Sequence, residues 1–420
     1  MRKKRIFHIV IGIVILILLA LFCIGFYYVS VMKKTLKEIS TGEDSKIFLS
    51  VYVLSEDKAH TLKDTVDYSY GINNSSYAPE NIEDVLLQIQ NALEKQPNVT
   101  KYENVFTLID ALKAEEIRAV ILDDAYRDSI ADAKGYEWVE EGIRKIESFE
   151  FEQKNEEKEE TVPEEIPESF IVYISGIDTY GDISARSRSD VNILAIVNKK
   201  SQKLLMLATP RDYYVDFEVT GGEKDKLTHA GIYGIDQSMD ALERLYGIEI
   251  DYYLRMNFSG FVNVIDALGG IEVYSDYDFS VQNIKDYHKG YNSVNGLEAL
   301  AFARERYSFP TGDYQRAKNQ IEVIKAVIKK CASPAILTNY GSVMEALAGS
   351  FETNMPENQI FSLMKIQIFD RASWEISSYT VDGTSSYKPT FSMPGQNLYV
   401  ILPDESSVSH AKDLIKAIQE

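Results

Sequence analysis

Cysteine is nearly absent from this chain: 420 residues carry two, Cys23 and Cys331. The first lies inside a long apolar run and the second far beyond it, so they cannot pair and no disulfide framework staples the fold. Histidine is scarce as well, with five dispersed residues. No serine–histidine–acid set stands out, and His229, in LTHAG, reads as structural. The usual nucleophiles being missing, the chemistry left is direct transfer between two bound substrates, driven by positioning and charge neutralisation. Positive charge is short too: 44 Lys and Arg stand against 64 Asp and Glu, a net charge of -20. With no extended basic stripe either, nucleic acid is not the expected partner.

Hydrophobic content is ample, at 45%, and it is organised. Arg2, Lys3, Lys4 and Arg5 precede an apolar run from Ile9 to Val29, long enough to cross a bilayer as a helix of about 20 residues. Phe26, Tyr27 and Tyr28 close it as an interfacial belt would. Residues 1–32 are therefore expected to form a short cytoplasmic tail and one retained transmembrane helix. The basic cluster favours an inside N-terminus, a bias that Lys33, Lys34 and Lys37 narrow. The bulk of the chain is then extracytoplasmic.

Residues 33–150 read as a small α/β accessory domain. IFLSVYVL has the composition of a strand, PENIEDVLLQIQNAL and VFTLIDAL the apolar spacing of helices, and IRAVILDD that of a buried strand. The unit contains no nucleophile, metal cluster or glycine-rich loop, so a spacer or protein-binding role separate from the chemistry is expected. Residues 151–168 are acidic and contain Pro163 and Pro167. Such a stretch cannot bury a core and reads as a solvated linker.

The remaining domain, 169–420, concentrates charge at particular places. VNILAIV and KLLMLAT, joined by NKKSQ, predict an antiparallel hairpin, which returns its second strand to the end where the first began. Asp190 should then lie near Arg211 and Asp212. Arg186, Arg188 and Asp190, each two apart, should share a side, and Asp178 joins them if the preceding strand ends at the same edge. A second cluster holds Arg304 and Arg306, then a helix with Asp313 as cap and Arg316 and Gln320 on one face. Arg188, Arg211, Arg304, Arg306 and Arg316 are candidates for one site. Their excess positive charge asks for a polyanion. Asp178 and Asp190 could hold magnesium, and a diphosphate bridged by that ion would satisfy both sets. Between the clusters, Ile235, Met239, Leu242 and Tyr246 form one apolar stripe, and Phe258, Phe261, Val262 and Ile265 another. Each is either ordinary core or the wall of a pocket for an apolar ligand.

The blocks RSRSDVNILAIVNKKSQKLLMLATPRDYYV, KLTHAGIYG, NFSGFVNVIDALGGIEV and ARERYSFPTGDYQRAKNQ resemble, in order, the signature blocks of the LytR-CpsA-Psr family, over about 168–331. The accessory unit resembles that of its CpsA-type capsule members. The resemblance implies an α/β/α sandwich with a lipid tunnel. It also implies a cell-wall ligase that moves a glycan, such as capsular polysaccharide or teichoic acid, from a polyprenyl diphosphate carrier to peptidoglycan. Carried over by motif, Asp178 and Asp190 would coordinate Mg2+. Arg188, Arg211, Arg304, Arg306, Arg316 and Gln320 would hold the diphosphate, and Asp212 would orient Arg211 or act as a base. Arg186, Asp313, Ile235, Met239, Phe261 and Ile265 complete the expected substrate contacts. Capsule or cell-wall synthesis proteins are further expected partners. The competing expectation is a non-catalytic membrane protein that binds lipid-linked precursors and regulates polymer synthesis.

Overall fold

A computed structural model describes residues 45–74, 79–153, 165–177, 179, 183–331, 343, 346, 350–356, 358–360, 362–363, 366 and 374–420. The expected span at 9–29, residues 154–164 of the expected linker, and Asp178 lie outside the described residues. Among the described residues no helix is long and apolar enough to cross a membrane.

The accessory unit comprises β1 (Ser45–Leu54), β2 (Ser69–Asn73), α1 (Pro79–Leu93), β3 (Asn98–Tyr102), α2 (Val105–Lys113), β4 (Ala119–Asp123), α3 (Asp124–Ala131), α4 (Val139–Gly142) and β5 (Ile143–Gln153). Its five strands run in the order β3-β2-β4-β1-β5. Alternate residues of β1, Ile47, Leu49, Val51 and Val53, bury one face against Ile82, Val85 and Ile89 of α1, as period 2 meeting period 3.6 requires. Asn104 caps α2 by accepting from the Thr107 N–H at 3.0 Å. The strand β5, absent from the sequence reading, pairs with β1 along its whole length. Its Arg144, Lys145, Glu147 and Glu150 hide the strand pattern while protecting a sheet edge.

The larger domain opens with β6 (Ser169–Ile177), β7 (Ser189–Asn198), β8 (Lys203–Ala208) and the short pair β9 (Tyr214–Val215) and β10 (Asp225–Lys226). It continues with α5 (Leu227–Tyr233), α6 (Ile235–Tyr246), β11 (Tyr252–Met256), α7 (Phe258–Ala267), β12 (Ile271–Ser275), β13 (Phe279–Val281), β14 (Lys285–Tyr287) and β15 (Gly290–Val294). It ends with α8 (Gly296–Arg304), α9 (Asp313–Cys331), β16 (Phe351–Thr353), β17 (Glu375–Thr380), β18 (Gly383–Pro389), β19 (Asn397–Pro403) and α10 (Glu405–Gln419). The central sheet is mixed, in the order β16-β11-β6-β7-β8-β17. Its two faces follow from strand alternation. Leu194 and Ile196 of β7 pack with Leu242 and Tyr246 of α6 and with Ala411 and Ile415 of α10. Ile193 and Ala195 pack with Ala317 and Ile321 of α9. The result is helix, sheet, helix.

The accessory unit is packed onto this domain, not strung from it. Lys46 bridges to Ala185, its N–H donating to Ser184 O and its O accepting from the Arg186 N–H, both at 3.0 Å. One continuous cluster of buried side chains takes in Phe106, Tyr126 and Val139 from the accessory unit and Tyr173, Leu194 and Leu242 from the larger domain. The linker is therefore not the sole connection between the units: the apolar faces of α2 and α3 are shared with the second domain.

Asp123 marks this contact. Its side chain caps α3 by accepting from the Ala125 N–H at 2.9 Å. Burial, reinforced by Asp124, pushes its carboxyl up to about 7 despite that N–H and Arg186 of the other unit. A carboxyl raised on folding contributes stability that is lost as pH rises from its unfolded to its folded value. Asp123→Asn, which keeps a capping side chain, should therefore gain thermal stability over the wild type as pH rises from 3.8 to about 7. Melting curves at stepped pH should show the gap widening across this window and constant above it.

Candidate functional site

The β7–β8 hairpin sets the first half of the site. Its turn is held by Asn198, whose Oδ1 accepts from the N–H groups of Lys200 and Ser201 at 3.1 and 3.0 Å. Gln202 takes the left-handed φ of 54° that returns the chain. The register Ile193↔Ala208 brings the start of β7 beside the segment after β8. Arg211 Nη1 accordingly donates to both oxygens of Asp190 at 2.9 Å, and Thr228 Oγ1 donates to Oδ1 at 3.2 Å. Behind them α5 presses on the backbone around Arg188. A Cβ on Gly231 would stand 2.6 Å from Ser187 O, so glycine is what permits the approach.

Arg188 and Arg211 are 5% and 8% exposed. Arg188 Nη1 pairs with Asp132 of the accessory unit at 2.5 Å, and Arg211 Nη2 stands 3.6 Å from the same carboxylate. Arg211 Nε is buried without a hydrogen-bond partner, 3.7 Å from Asp212. Asp212 Oδ1 in turn accepts from Lys226 Nζ at 2.9 Å. It is buried between these two cations and does not line the cavity described below, so its contacts are with Arg211 and Lys226.

The second half comes from α8, α9 and the loop between them. Arg304, in the last turn of α8, stacks on Phe258 at 4.3 Å. Arg306 stacks on Tyr307 at 4.7 Å. Helix α9 begins at Asp313 itself; the expected cap is its first residue, and its carboxylate pairs with Arg316 Nη2 at 2.5 Å. Gln320 Nε2 reaches Ala303 O at 3.5 Å. Asn319, buried, donates to Phe302 O at 3.2 Å and so ties α9 to α8.

The charge state of this group is strongly coupled. Burial alone would raise the Asp190 carboxyl, but Arg211, Arg188 and Arg316 override it and hold it well below the usual range. Burial opposes ionisation of Asp212 too, and Lys226 and Arg211 win. Arg316 moves the other way: burial, with crowding by Arg211 and Arg306 and despite Asp313 and Asp190, lowers its affinity for its proton. A buried cation under that pressure is stabilised by an incoming anion.

Both halves open onto one cavity of about 1200 Å3. Arg188, Asp190, Arg211, Arg304, Arg306, Arg316 and Gln320 stand at its polar part. The rest is apolar: Val172 and Ile174 from β6, Phe261 and Ile265 from α7, and Val323 and Ile328 from α9. Of the Phe258 stripe, Phe258, Phe261 and Ile265 line the cavity and Val262 does not. The Ile235 stripe does not line it. Ile235 and Met239 pack in the helical layer on the opposite face of the sheet, because β7 sends alternate side chains each way. Arg186 is also outside the cavity. Its segment pairs with β1 before β7 begins at Ser189, so the two-residue alternation does not extend to it, and its charge instead faces Asp123 and Asp236. The contribution of Asp132 had no signal in the sequence beyond an acid at a helix end.

Among the described residues no group of three or more metal-ligating side chains occurs. Asp190 nonetheless suits one ion. A carboxylate has about four lone-pair sites. Arg211 and Thr228 contribute three contacts, leaving a position toward the cavity. Magnesium bound mainly through phosphate oxygens needs only one or two protein carboxylates.

The domain is mixed α/β, and its apolar cavity ends at arginines from two separate sequence clusters. The chain belongs to the LytR_cpsA_psr family, whose model matches residues 139–416. It is 36% identical over 195 residues to the Bacillus cereus polyisoprenyl-teichoic acid–peptidoglycan teichoic acid transferase TagU, a match covering 46% of this chain and 63% of that one. To the Enterococcus faecalis protein of the same name it is 35% identical over 190 residues, covering 45% and 62%. The chain thus spans less than two thirds of the length of these relatives. Among solved structures, B. subtilis TagV superposes with a TM-score of 0.50 at 27% identity, covering 60% of this chain and 97% of that one. A Streptococcus agalactiae protein superposes with 0.51 at 25% identity, covering 60% and 88%.

The role of Asp212 is testable apart from turnover. Asp212→Ala leaves the Lys226 ammonium buried without its carboxylate, which should cost about 3 kcal/mol of stability. The double variant Asp212→Leu with Lys226→Met, removing both charges, should recover most of it. Urea unfolding of wild type, Asp212→Leu, Lys226→Met and the double provides the coupling energy.

Proposed function

We propose that the chain is a cell-wall polymer transferase: it takes a phosphate-linked glycan from a polyprenyl diphosphate carrier and attaches it to peptidoglycan. The observation that carries this reading is the junction, in one cavity, of an apolar wall with the arginines of two separate sequence clusters. An isoprenoid tail suits the wall and a diphosphate the arginines. The names of the TagU relatives describe a transfer of this kind. The basic and apolar N-terminal segment would anchor the chain in the cell membrane with its bulk outside, beside both substrates.

In this reading an acceptor hydroxyl attacks the glycan-bearing phosphorus. The new P–O bond forms as the bridging P–O bond breaks, polyprenyl phosphate leaves, and the hydroxyl proton is released. Arg211, held by Asp190 and Asp212, Arg316, held by Asp313, and the buried Arg188 beside them fix the diphosphate and neutralise charge on the departing phosphate. Arg304 and Arg306, nearer the surface, complete the ring, and Gln320 adds a polar contact. Magnesium, when bound at Asp190 with Asp178, would supply further neutralising charge.

The test is incubation of the purified full-length chain with a lipid-diphosphate oligosaccharide and glycan strands, products being read by mass spectrometry. A glycan–acceptor phosphodiester is expected. Arg304→Ala and Arg316→Ala should each weaken lipid-diphosphate binding about tenfold or more, the scale of a lost charge-assisted contact. Asp190→Ala should lose turnover while retaining affinity. Free glycan phosphate would indicate a hydrolase, and no turnover a regulator that binds precursors.

A further inference from the structure

The accessory unit contributes one charged group to the arginine site. Asp132 follows α3 directly as its C-cap, and its carboxylate contacts both buried guanidinium groups of the hairpin edge, Arg188 at 2.5 Å and Arg211 at 3.6 Å. Asp128, one turn earlier, and Glu140 of α4 line the same cavity, so the accessory unit presents an acidic lip to the basic ring. A helix C-terminus carries the negative end of the dipole, where an acid is electrostatically unfavourable. The arginine pair compensates for that cost. Asp190 and Asp212 behave differently, because both belong to the larger domain and are less exposed, at 16% and 8% of their side chains. The Asp132 side chain is 38% exposed and can turn into solvent with little rearrangement.

We propose that Asp132 is a tethered competitor that sets the specificity threshold of the site. Its carboxylate occupies the seat where Arg188 and Arg211 would take a phosphate oxygen, and a ligand must displace it to bind. The proposal rests on the reading of the arginines as the diphosphate site. A diphosphate carries more charge than one carboxylate and spans more of the ring, so it displaces Asp132. A weaker anion, such as a single carboxylate from solution or from a cell-wall peptide, does not. The accessory unit thus keeps two buried arginines compensated between substrates and excludes the lesser anions around them. The competition acts on the head group, since Asp132 meets the site through the guanidinium groups of Arg188 and Arg211.

The experiment uses the full-length chain in detergent, with geranylgeranyl diphosphate and geranylgeraniol as probes in the presence of magnesium, measured by calorimetry. Asp132→Asn and Asp132→Ala should each bind the diphosphate about tenfold more tightly than wild type, the scale of one charge-assisted contact no longer to be displaced. Binding of the alcohol should not change. Arg316→Ala should weaken the diphosphate in the same series. If Arg316→Ala weakens the diphosphate but both Asp132 variants bind it no more tightly, or less tightly, Asp132 serves to orient the arginines and the competitor is overturned alone. If neither Arg316→Ala nor the Asp132 variants alter diphosphate affinity, the reading of the arginine site fails and the competitor with it. Tighter binding of the alcohol as well as the diphosphate would place the effect on cavity access and would also overturn it.

Discussion

Two guanidinium groups, Arg188 and Arg211, are held almost out of water at one end of a sheet, and the surrounding structure follows from that constraint. Charges in such a place are costly unless paired and hydrogen-bonded. Arg211 is paired with Asp190 and, at longer range, with Asp212 and Asp132. Asp212 needs a second cation and has Lys226. Each partner must then be fixed by the fold. The hairpin register fixes Asp190, helix α5 packs close through Gly231, and β10 delivers Lys226. The network ends with Arg211 Nε buried without a hydrogen bond, 3.7 Å from the Asp212 carboxylate.

The apolar cavity is the second consequence of the same arrangement. Helix α9 brings Arg316 and Gln320 to the charged end while its next turns, through Val323, Ile324 and Val327, continue along the cavity wall. The helix therefore spans head site and tail site as one rigid element. Side chains on that face of the sheet, such as Val172, Ile174 and Val191, are only partly buried. They pack on core neighbours at one side and face the cavity at the other, a condition that interiors otherwise avoid. An apolar cavity of about 1200 Å3 suits the isoprenoid tail of the proposed substrate.

Where the sequence was legible, a local periodicity matched the contact that decided the structure. The hairpin joined Asp190 to Arg211 because antiparallel return is a property of its turn and length. Arg304 and Arg316 line the same cavity because the helix of Arg316 starts shortly after the helix that ends at Arg304. Arg186 went astray because the two-residue alternation was extended past the strand's true beginning at Ser189. The Ile235 and Phe258 stripes show a deeper limit. Period 3.6 says that one side of a helix is buried, but not whether packed core or a cavity covers it. In this fold α6 and α7 lie on different faces of the sheet, which only the topology determines. Strand β5 was hidden by the charges that protect its edge, and the docking of the accessory unit by apolar faces that read as its own core. Asp132 had no pattern at all, being significant only through what lies across the domain contact.

Affinity for isoprenyl diphosphates of increasing length, from dimethylallyl through geranyl and farnesyl to geranylgeranyl, tests most directly whether arginine ring and apolar cavity are one site. The account predicts that each added isoprene tightens binding by about tenfold or more, since burying a CH2 is worth about 0.8 kcal/mol. It also predicts that Arg316→Ala weakens every member of the series by the same factor. Affinity that does not depend on tail length, or a loss at Arg316 that disappears as the tail grows, would show that head and tail do not bind together and would contradict it.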